Sequence, residues 1–370
     1  MRIGIITMHK VVNFGSALQA CALLKKVRDL GYDAELIDYK YPNTIHKEGQ
    51  SLLREAIKQT IHFLNSAIVG FPTIRQKIRY KKFWKENFVL SSQKYPTPQS
   101  IENNPPIYDV YVTGSDQVWN ANFTKKDSSF LLSFAPKGAK KISYASSFAL
   151  NTIPAKYEYL FKDNLPLYSF ISVREESGVQ LANKYGNVNA QWVCDPTLLL
   201  TKEEWKKIAK GGKTYTKQSY ILVFLLAYSF NPFPEVDYIV NKVQKELGLH
   251  VIYLDAGKRD YFKPNSHVVK DAGPKEFVNL FLNAEFIITS SFHGTAFSIN
   301  FQKPFFSIIS ENNPDTRITS LLKKMGCEKN GIIYNSNNFE INQTIDCEKG
   351  LEAFRDSSLE YLKSSLKNED

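Results

Sequence analysis

Short apolar runs rich in Val, Ile, Tyr and Phe alternate along the chain with stretches of helical periodicity, the pattern of β-α units wound around parallel sheets. The runs predict strands near Arg2–Thr7, Ala34–Asp38, Val110–Thr113, Lys141–Tyr144, Phe170–Val173 and Trp192–Cys194. A second series is predicted at Tyr220–Tyr228, Val251–Leu254, Val268–Val269, Phe286–Thr289 and Phe305–Ile308, with helices such as Pro234–Leu247 and Lys275–Asn283 between. Two doubly wound sheets account for this better than one. The polar stretch Lys210–Gln218, which holds Gly211-Gly212, is the natural linker, and the periodicity of Leu351–Leu366 predicts a terminal helix that packs back on the first domain. The chain therefore divides into a first Rossmann-like domain over 1–208, a second over 219–345 and a returning helix in 346–370. A helical pattern over Ser51–Val69 is broken by Gly70-Phe71-Pro72 and resumes over Thr73–Phe88, so a helical insertion of about 47–90 is expected in the first domain.

Charge sharpens the picture of that insertion. Subtracting 37 acidic from 47 basic residues leaves +10, and Lys47–Phe88 holds nine basic against three acidic residues, a local excess of +6. With Ile78, Tyr80, Phe83 and Trp84 interleaved, it reads either as a solvated helix pair packed on its own domain or as a basic amphipathic face for an anionic membrane surface. At 43% hydrophobic and 23% charged residues, the composition excludes general disorder. The longest apolar run, Tyr220–Tyr228, is far short of the roughly 20 residues of a membrane helix, and the first residues lack a signal core. A cytoplasmic protein is expected, peripheral at most at the inner face of the membrane. Cys21, Cys194, Cys327 and Cys347 are scattered, with no C-x-x-C pair and no His at ligand spacing, so neither a metal nor a disulfide framework is expected.

In open α/β sheets ligands bind beyond the carboxyl ends of the strands, so the loops that follow strands are where chemistry is sought. Asn13-Phe14-Gly15-Ser16-Ala17-Leu18-Gln19 is a Gly-containing turn that opens a helix, fit for an anion or a sugar hydroxyl, although such turns more often serve plain strand-to-helix geometry. Gly114-Ser115-Asp116-Gln117-Val118-Trp119-Asn120 crowds hydroxyl, carboxylate, carboxamide and indole into one loop, a mixture that suits carbohydrate or a helix cap over a core Trp. Arg174-Glu175-Glu176 offers a planar fork for carboxylate or phosphate, or an internal ion pair. The strongest signal is Thr289-Ser290-Ser291-Phe292-His293-Gly294-Thr295, a strand running into a small-residue turn. An imidazole at a strand end beside Gly suits a general acid or base, although a satisfied structural His is open too. No P-loop, G-x-G-x-x-G or D-x-D sequence occurs, which disfavours nucleotide phosphate loops and metal-chelating sugar transferases.

Taken in order, these segments resemble the polysaccharide pyruvyl transferase family. The resemblance continues through Tyr144-Ala145-Ser146-Ser147-Phe148, Asp195-Pro196-Thr197-Leu198-Leu199-Leu200, Ala272-Gly273-Pro274 and Arg317 ahead of Leu321-Leu322-Lys323-Lys324-Met325-Gly326, and covers roughly Met1–Gly326. It implies a glycosyltransferase-B-like pair of Rossmann-type domains with the active site between them. It also implies phosphoenolpyruvate as co-substrate with no cofactor, and a cyclic pyruvate ketal formed on a surface glycan, free or carried on a lipid diphosphate. By the same resemblance His293 is the general acid/base, Arg174 clamps the donor, and Asp116 is a further candidate base. Ser291, Gly294, Thr295 and Arg317 join the donor set, while Asn13, Gly15, Gln19, Ser115, Asp116 and Gln117 form the acceptor set. Many members read Ser-Arg-Leu-His-Gly where this chain reads Ser290-Ser291-Phe292-His293-Gly294, so a cation expected two residues before the His is absent. A nucleotide-sugar-dependent transferase of the same fold and a non-catalytic basic binding protein are the alternatives; nucleic acid is not an expected partner.

Overall fold

Strand β1 (Arg2–Ile6) is buried along all but its first residue, and it sits at the centre of a parallel five-stranded sheet. Its neighbours are β2 (Asp33–Tyr39) and β4 (Val110–Thr113), with β3 (Leu90–Tyr95) and β5 (Lys140–Ser143) outside them, giving the order β3-β2-β1-β4-β5. The computed structural model describes residues 1–40, 71–226, 231–254, 267–312, 314–334, 339–341 and 344–367. Val, Ile and Tyr fill β1 and β4 because both faces of a parallel sheet are covered by helices. Beyond β5, the short strands β6 (Ser172–Val173) and β7 (Gln191–Trp192) pair with each other, and isolated bridges tie Ile142 to Phe170 and Ser146 to Val173.

The second sheet is also fully parallel, in the order β10-β9-β8-β11-β12-β13. Its strands are β8 (Tyr220–Phe224), β9 (His250–Leu254), β10 (His267–Val269), β11 (Phe286–Thr289), β12 (Phe305–Ile309) and β13 (Gly331–Ile333). Strand β8 is shorter than the apolar run suggested, and Tyr228 lies outside the described residues. Strands β3 and β13 are additions to the sequence-based expectation. Both lie on sheet edges, and β3 has three exposed residues, so neither carries a strong apolar run.

The order of strands reverses between β1 and β4 in the first sheet and between β8 and β11 in the second. These two switch points are where a doubly wound sheet opens a crevice. They face each other across a seam packed with aromatic rings: Phe14 stacks on Phe277 with centroids 4.8 Å apart and meets Phe224 edge-on at 5.9 Å. One buried apolar cluster runs continuously through both halves of this seam. The terminal helix Glu348–Leu366 lies on the first domain, where Tyr361 donates to the Ser143 carbonyl at 3.0 Å and Ser358 Oγ accepts from the Cys194 N–H at 2.8 Å.

Of the basic insertion, Ser51–Val69 lies outside the described residues. The second part is the helix Phe71–Asn87, and its aromatic residues are mostly structural: Tyr80 and Phe83 are buried, and Tyr80 packs on Phe14 at 5.7 Å. Arg79 spans to the second domain, 3.0 Å from Asp271 and 2.7 Å from the Tyr215 hydroxyl.

Candidate active site

A cleft of about 100 Å³ opens where the switch points meet, lined by Asn13, Gly15, Asp116 and Gln117 from the first domain and Ser291, Phe292, His293 and Arg317 from the second. His293 belongs to the helix Phe292–Asn300, which starts right after β11 and is capped by Ser291, whose Oγ accepts the Gly294 N–H. Its ring reaches across to the start of the helix Phe14–Asp29 so closely that a Cβ at position 15 would collide with it. Gly15 is therefore required by close approach between the domains, not by backbone conformation.

Behind the imidazole lies Asp195, on the loop after β7 and wholly buried, with Oδ2 3.8 Å from His293 Nε2. The same oxygen accepts from Ser115 Oγ at 3.0 Å and from Arg174 Nη1 at 3.1 Å, while Oδ1 accepts the Thr197 N–H and hydroxyl at 2.9 and 2.7 Å. Burial alone would raise its carboxyl pKa, but His293, Arg174 and the Thr197 hydrogen bonds outweigh that and hold it below the ordinary carboxylate range. For His293 burial is the largest influence and, with Arg174 adding to it, prevails over the opposing pull of Asp195, so the imidazole titrates below its ordinary value and is neutral at pH 7.

Arg174 has a fully buried side chain, yet its Nε and Nη2 have no hydrogen-bond partner among the described residues, and neither has His293 Nε2. Unpartnered buried polar nitrogens are costly and native structures keep few of them, so these three mark a place chemically suited to an oxyanion. The pairing of Arg174 is with Asp195, not with either following glutamate: Glu175 Oε1 instead accepts from Ser147 Oγ and the N–H groups of Phe148 and Ala149. Two guanidinium groups approach the Phe292 ring, Arg174 at 4.5 Å and Arg317 at 5.9 Å from its centroid. Arg317 is also paired with Asp315, which it holds below the ordinary carboxylate range against the opposing effect of burial.

Asp116 stands at the mouth of this arrangement with φ 77°, a left-handed conformation uncommon outside Gly and Asn, held by its carbonyl's bonds from Val118 and Ser147 N–H groups. Its carboxylate accepts from Ser16 Oγ at 2.5 Å and from the Gln117 N–H at 2.8 Å, and Oδ1 is 4.0 Å from Arg174 Nη2. The fold thus brings His293, Asp116, Asn13, Gly15, Gln117, Ser291 and Arg317 to one cleft, with Arg174 buried directly behind Asp116.

Four expected residues turn inward instead. Gln19 is fully buried and donates to Thr7 Oγ1 and to the Met8 and Ser16 carbonyls. The Ser115 hydroxyl is spent on Asp195, and Thr295 bonds the Ser291 carbonyl and Ser307 Oγ. The N–H groups of Gly294 and Thr295 are taken by Ser291 Oγ and Ser291 O, so neither offers a donor to a phosphate, and Gly294 serves instead to let the helix pack on Thr289. Asn13 keeps its place on the cleft but uses Oδ1 to cap the Ser16 N–H. Asp195 and Phe292 are the participants that sequence reasoning did not single out; a carboxylate directly after a strand and before Pro196 reads as a helix cap, which it also is.

Among the described residues no group of His, Cys, Asp and Glu could hold a metal ion, and no helix is long and apolar enough to cross a membrane. The sequence matches the family model described as polysaccharide pyruvyl transferase over residues 13–312. A search of curated proteins gives no match. Among solved structures the chain is similar to UDP-GlcNAc 2-epimerase from Methanocaldococcus jannaschii, with a TM-score of 0.54 and 13% identity over 97% of this chain and 99% of that one. It is also similar to a putative UDP-N-acetylglucosamine 2-epimerase from Listeria monocytogenes, with a TM-score of 0.53 and 8% identity over 98% and 89% of the two chains. At such identities the likeness is one of fold: a glycosyltransferase-B-like pair of Rossmann-type domains.

Proposed function

Because the chain belongs to the polysaccharide pyruvyl transferase family, a family of transferases, we propose that it moves the enolpyruvyl group of phosphoenolpyruvate onto a sugar of a surface-polysaccharide precursor and closes it into a cyclic ketal. The observation that carries this reading is the buried Arg174 with two unpartnered nitrogens beside an unpartnered His293 Nε2. Arg174 clamps the donor's carboxylate or phosphate, its guanidinium fixed in orientation by Asp195 on one edge and Phe292 on one face. Arg317, on the second domain, supplies the charge that Ser291 lacks.

Neutral His293 takes the proton of the first sugar hydroxyl and hands it to C3, where the C2–C3 π pair forms the new C–H bond of the methyl group while the sugar oxygen bonds to the C2 so made electrophilic. Asp195 steadies the imidazolium in between. Phosphate then leaves C2 with the electron pair of its bond, a second hydroxyl of the same sugar bonds in its place, and the second proton passes through His293 to phosphate. Asn13, Asp116 and Gln117, on the opposite wall, are the groups that bind the sugar hydroxyls, and Asp116 is the nearest second base.

The test is incubation with phosphoenolpyruvate and a panel of lipid-diphosphate-linked galactose, glucose and N-acetylmannosamine acceptors, following phosphate and product mass. The expected result is stoichiometric phosphate and ketal with one acceptor, reduced by about 10²–10⁴ in His293→Ala. No turnover with any acceptor, together with no binding of phosphoenolpyruvate, would overturn the reading and favour a nucleotide-sugar donor.

A further inference from the structure

The helix Phe71–Asn87 has two faces with different chemistry. Tyr80 and Phe83 are buried, and Gln76 and Tyr80, four residues apart, line the cleft. On the opposite side Ile74, Ile78, Lys81 and Lys85 follow one another at helical spacing, with Ile74 and Ile78 exposed to 46% and 58%. Arg75, Lys77 and Lys82 flank them, all exposed. Lys82 has Glu86 at 3.8 Å, whereas no carboxylate among the described residues pairs with Arg75, Lys77, Lys81 or Lys85. Solvent-facing isoleucines inside an unneutralised basic face are what an interfacial helix presents: aliphatic groups for the acyl boundary and cations for lipid phosphates.

We propose that this face docks on an anionic phospholipid bilayer. A second copy of the chain fits it poorly, because two-fold association through this face would set the same lysines against each other. The consequence for the cleft rests on the catalytic reading: a bilayer touching Ile74 and Ile78 lies about one helix diameter, roughly 10 Å, from the wall made by Gln76 and Tyr80, within reach of a sugar carried on a lipid diphosphate.

Flotation of the whole chain with vesicles tests the proposal without any substrate, so its failure is separable from failure of the chemistry. Binding to phosphatidylcholine vesicles that contain phosphatidylglycerol, but not to phosphatidylcholine alone, and weakening as salt rises, is expected. Replacing Lys81→Gln and Lys85→Gln together should weaken partitioning roughly twentyfold. The pair Ile74→Ser and Ile78→Ser should weaken it several-fold, with thermal unfolding unchanged in both variants because all four side chains are exposed. Equal binding to neutral and anionic vesicles, full binding by either double variant, or a stable dimer that Ile74→Ser and Ile78→Ser dissociates would each overturn it.

Discussion

Asp195 touches both halves of the proposed site: one oxygen serves Arg174 and Ser115 and faces His293, and the other caps the turn at Thr197. Asp195→Asn keeps the shape and the Thr197 cap but removes the closer charge, so the buried guanidinium is left with only the Asp116 carboxylate at 4.0 Å, at a cost of up to about 3–5 kcal/mol in a denaturant titration. The pH profile separates this structural effect from a catalytic one. His293 must be neutral to accept the first proton, and its lowered pKa places the acid limb of kcat/KM below the ordinary histidine value of about 6.5, with a plateau through neutral pH. Asp195 is the main influence holding that pKa up against burial, so in Asp195→Asn the limb moves to still lower pH while the plateau falls about 10²-fold or more. A limb that stays in place would show that His293 does not titrate in the step. The positions of His293, Arg174 and Asp116 near the cleft were legible in the sequence because each closely follows a strand at a turn with no apolar role. Gln19, Ser115 and Thr295 were not separable from them, because whether a polar group faces a cleft or a neighbouring backbone depends on partners distant in sequence, as with Ser115 and Asp195, 80 residues apart.

At the scale of elements, the helix Phe14–Asp29 and the helix Phe292–Asn300 meet end to end at Gly15 and His293. Gly15→Ala should raise the intrinsic preference of the first helix by up to about 1 kcal/mol. Its added methyl, however, strikes the imidazole, and overpacking of this kind costs about 1–3 kcal/mol or displaces the ring. The expected outcome is a folded protein whose kcat falls at least about tenfold while acceptor binding changes less; wild-type kcat would show that the close approach is incidental. The strands that frame these helices were readable because buried parallel strands are continuous apolar runs, as in Val110–Thr113 and Phe286–Thr289. The edge strand Leu90–Tyr95 has no strand signal in the sequence, since its Ser91-Ser92-Gln93-Lys94 centre carries no apolar pattern and its place in the sheet comes from pairing with β2.

Over the whole molecule, the register of the two domains is set behind the cleft as well as in it. Asn300, at the far end of the helix that presents His293, donates from Nδ2 to the Thr197 and Leu200 carbonyls of the first domain at 2.8 and 2.9 Å, and its Oδ1 accepts from Arg355 Nη2 of the terminal helix at 3.1 Å. Arg355 Nε donates in turn to the Leu198 carbonyl at 2.7 Å. One nine-residue helix therefore holds the segment after Asp195 at one end while it aims an imidazole at Asp195 from the other. Asn300→Ala leaves the Leu200 carbonyl and Arg355 Nη2 short of a partner, whereas the Thr197 carbonyl keeps the Trp205 indole N–H, a loss of about 1–3 kcal/mol for each group left unsatisfied, measurable by denaturant titration. If the grip also sets the distance between Asp195 and His293, kcat falls about tenfold or more with KM for phosphoenolpyruvate nearly unchanged, since Arg174 keeps its place on the first domain. Asn300→Asp distinguishes the two halves of the grip: a carboxylate still accepts from Arg355 but repels both carbonyl oxygens, so it should be at least as slow as the alanine variant. Wild-type kcat in Asn300→Asp would assign the domain register to Arg355 and the aromatic seam instead.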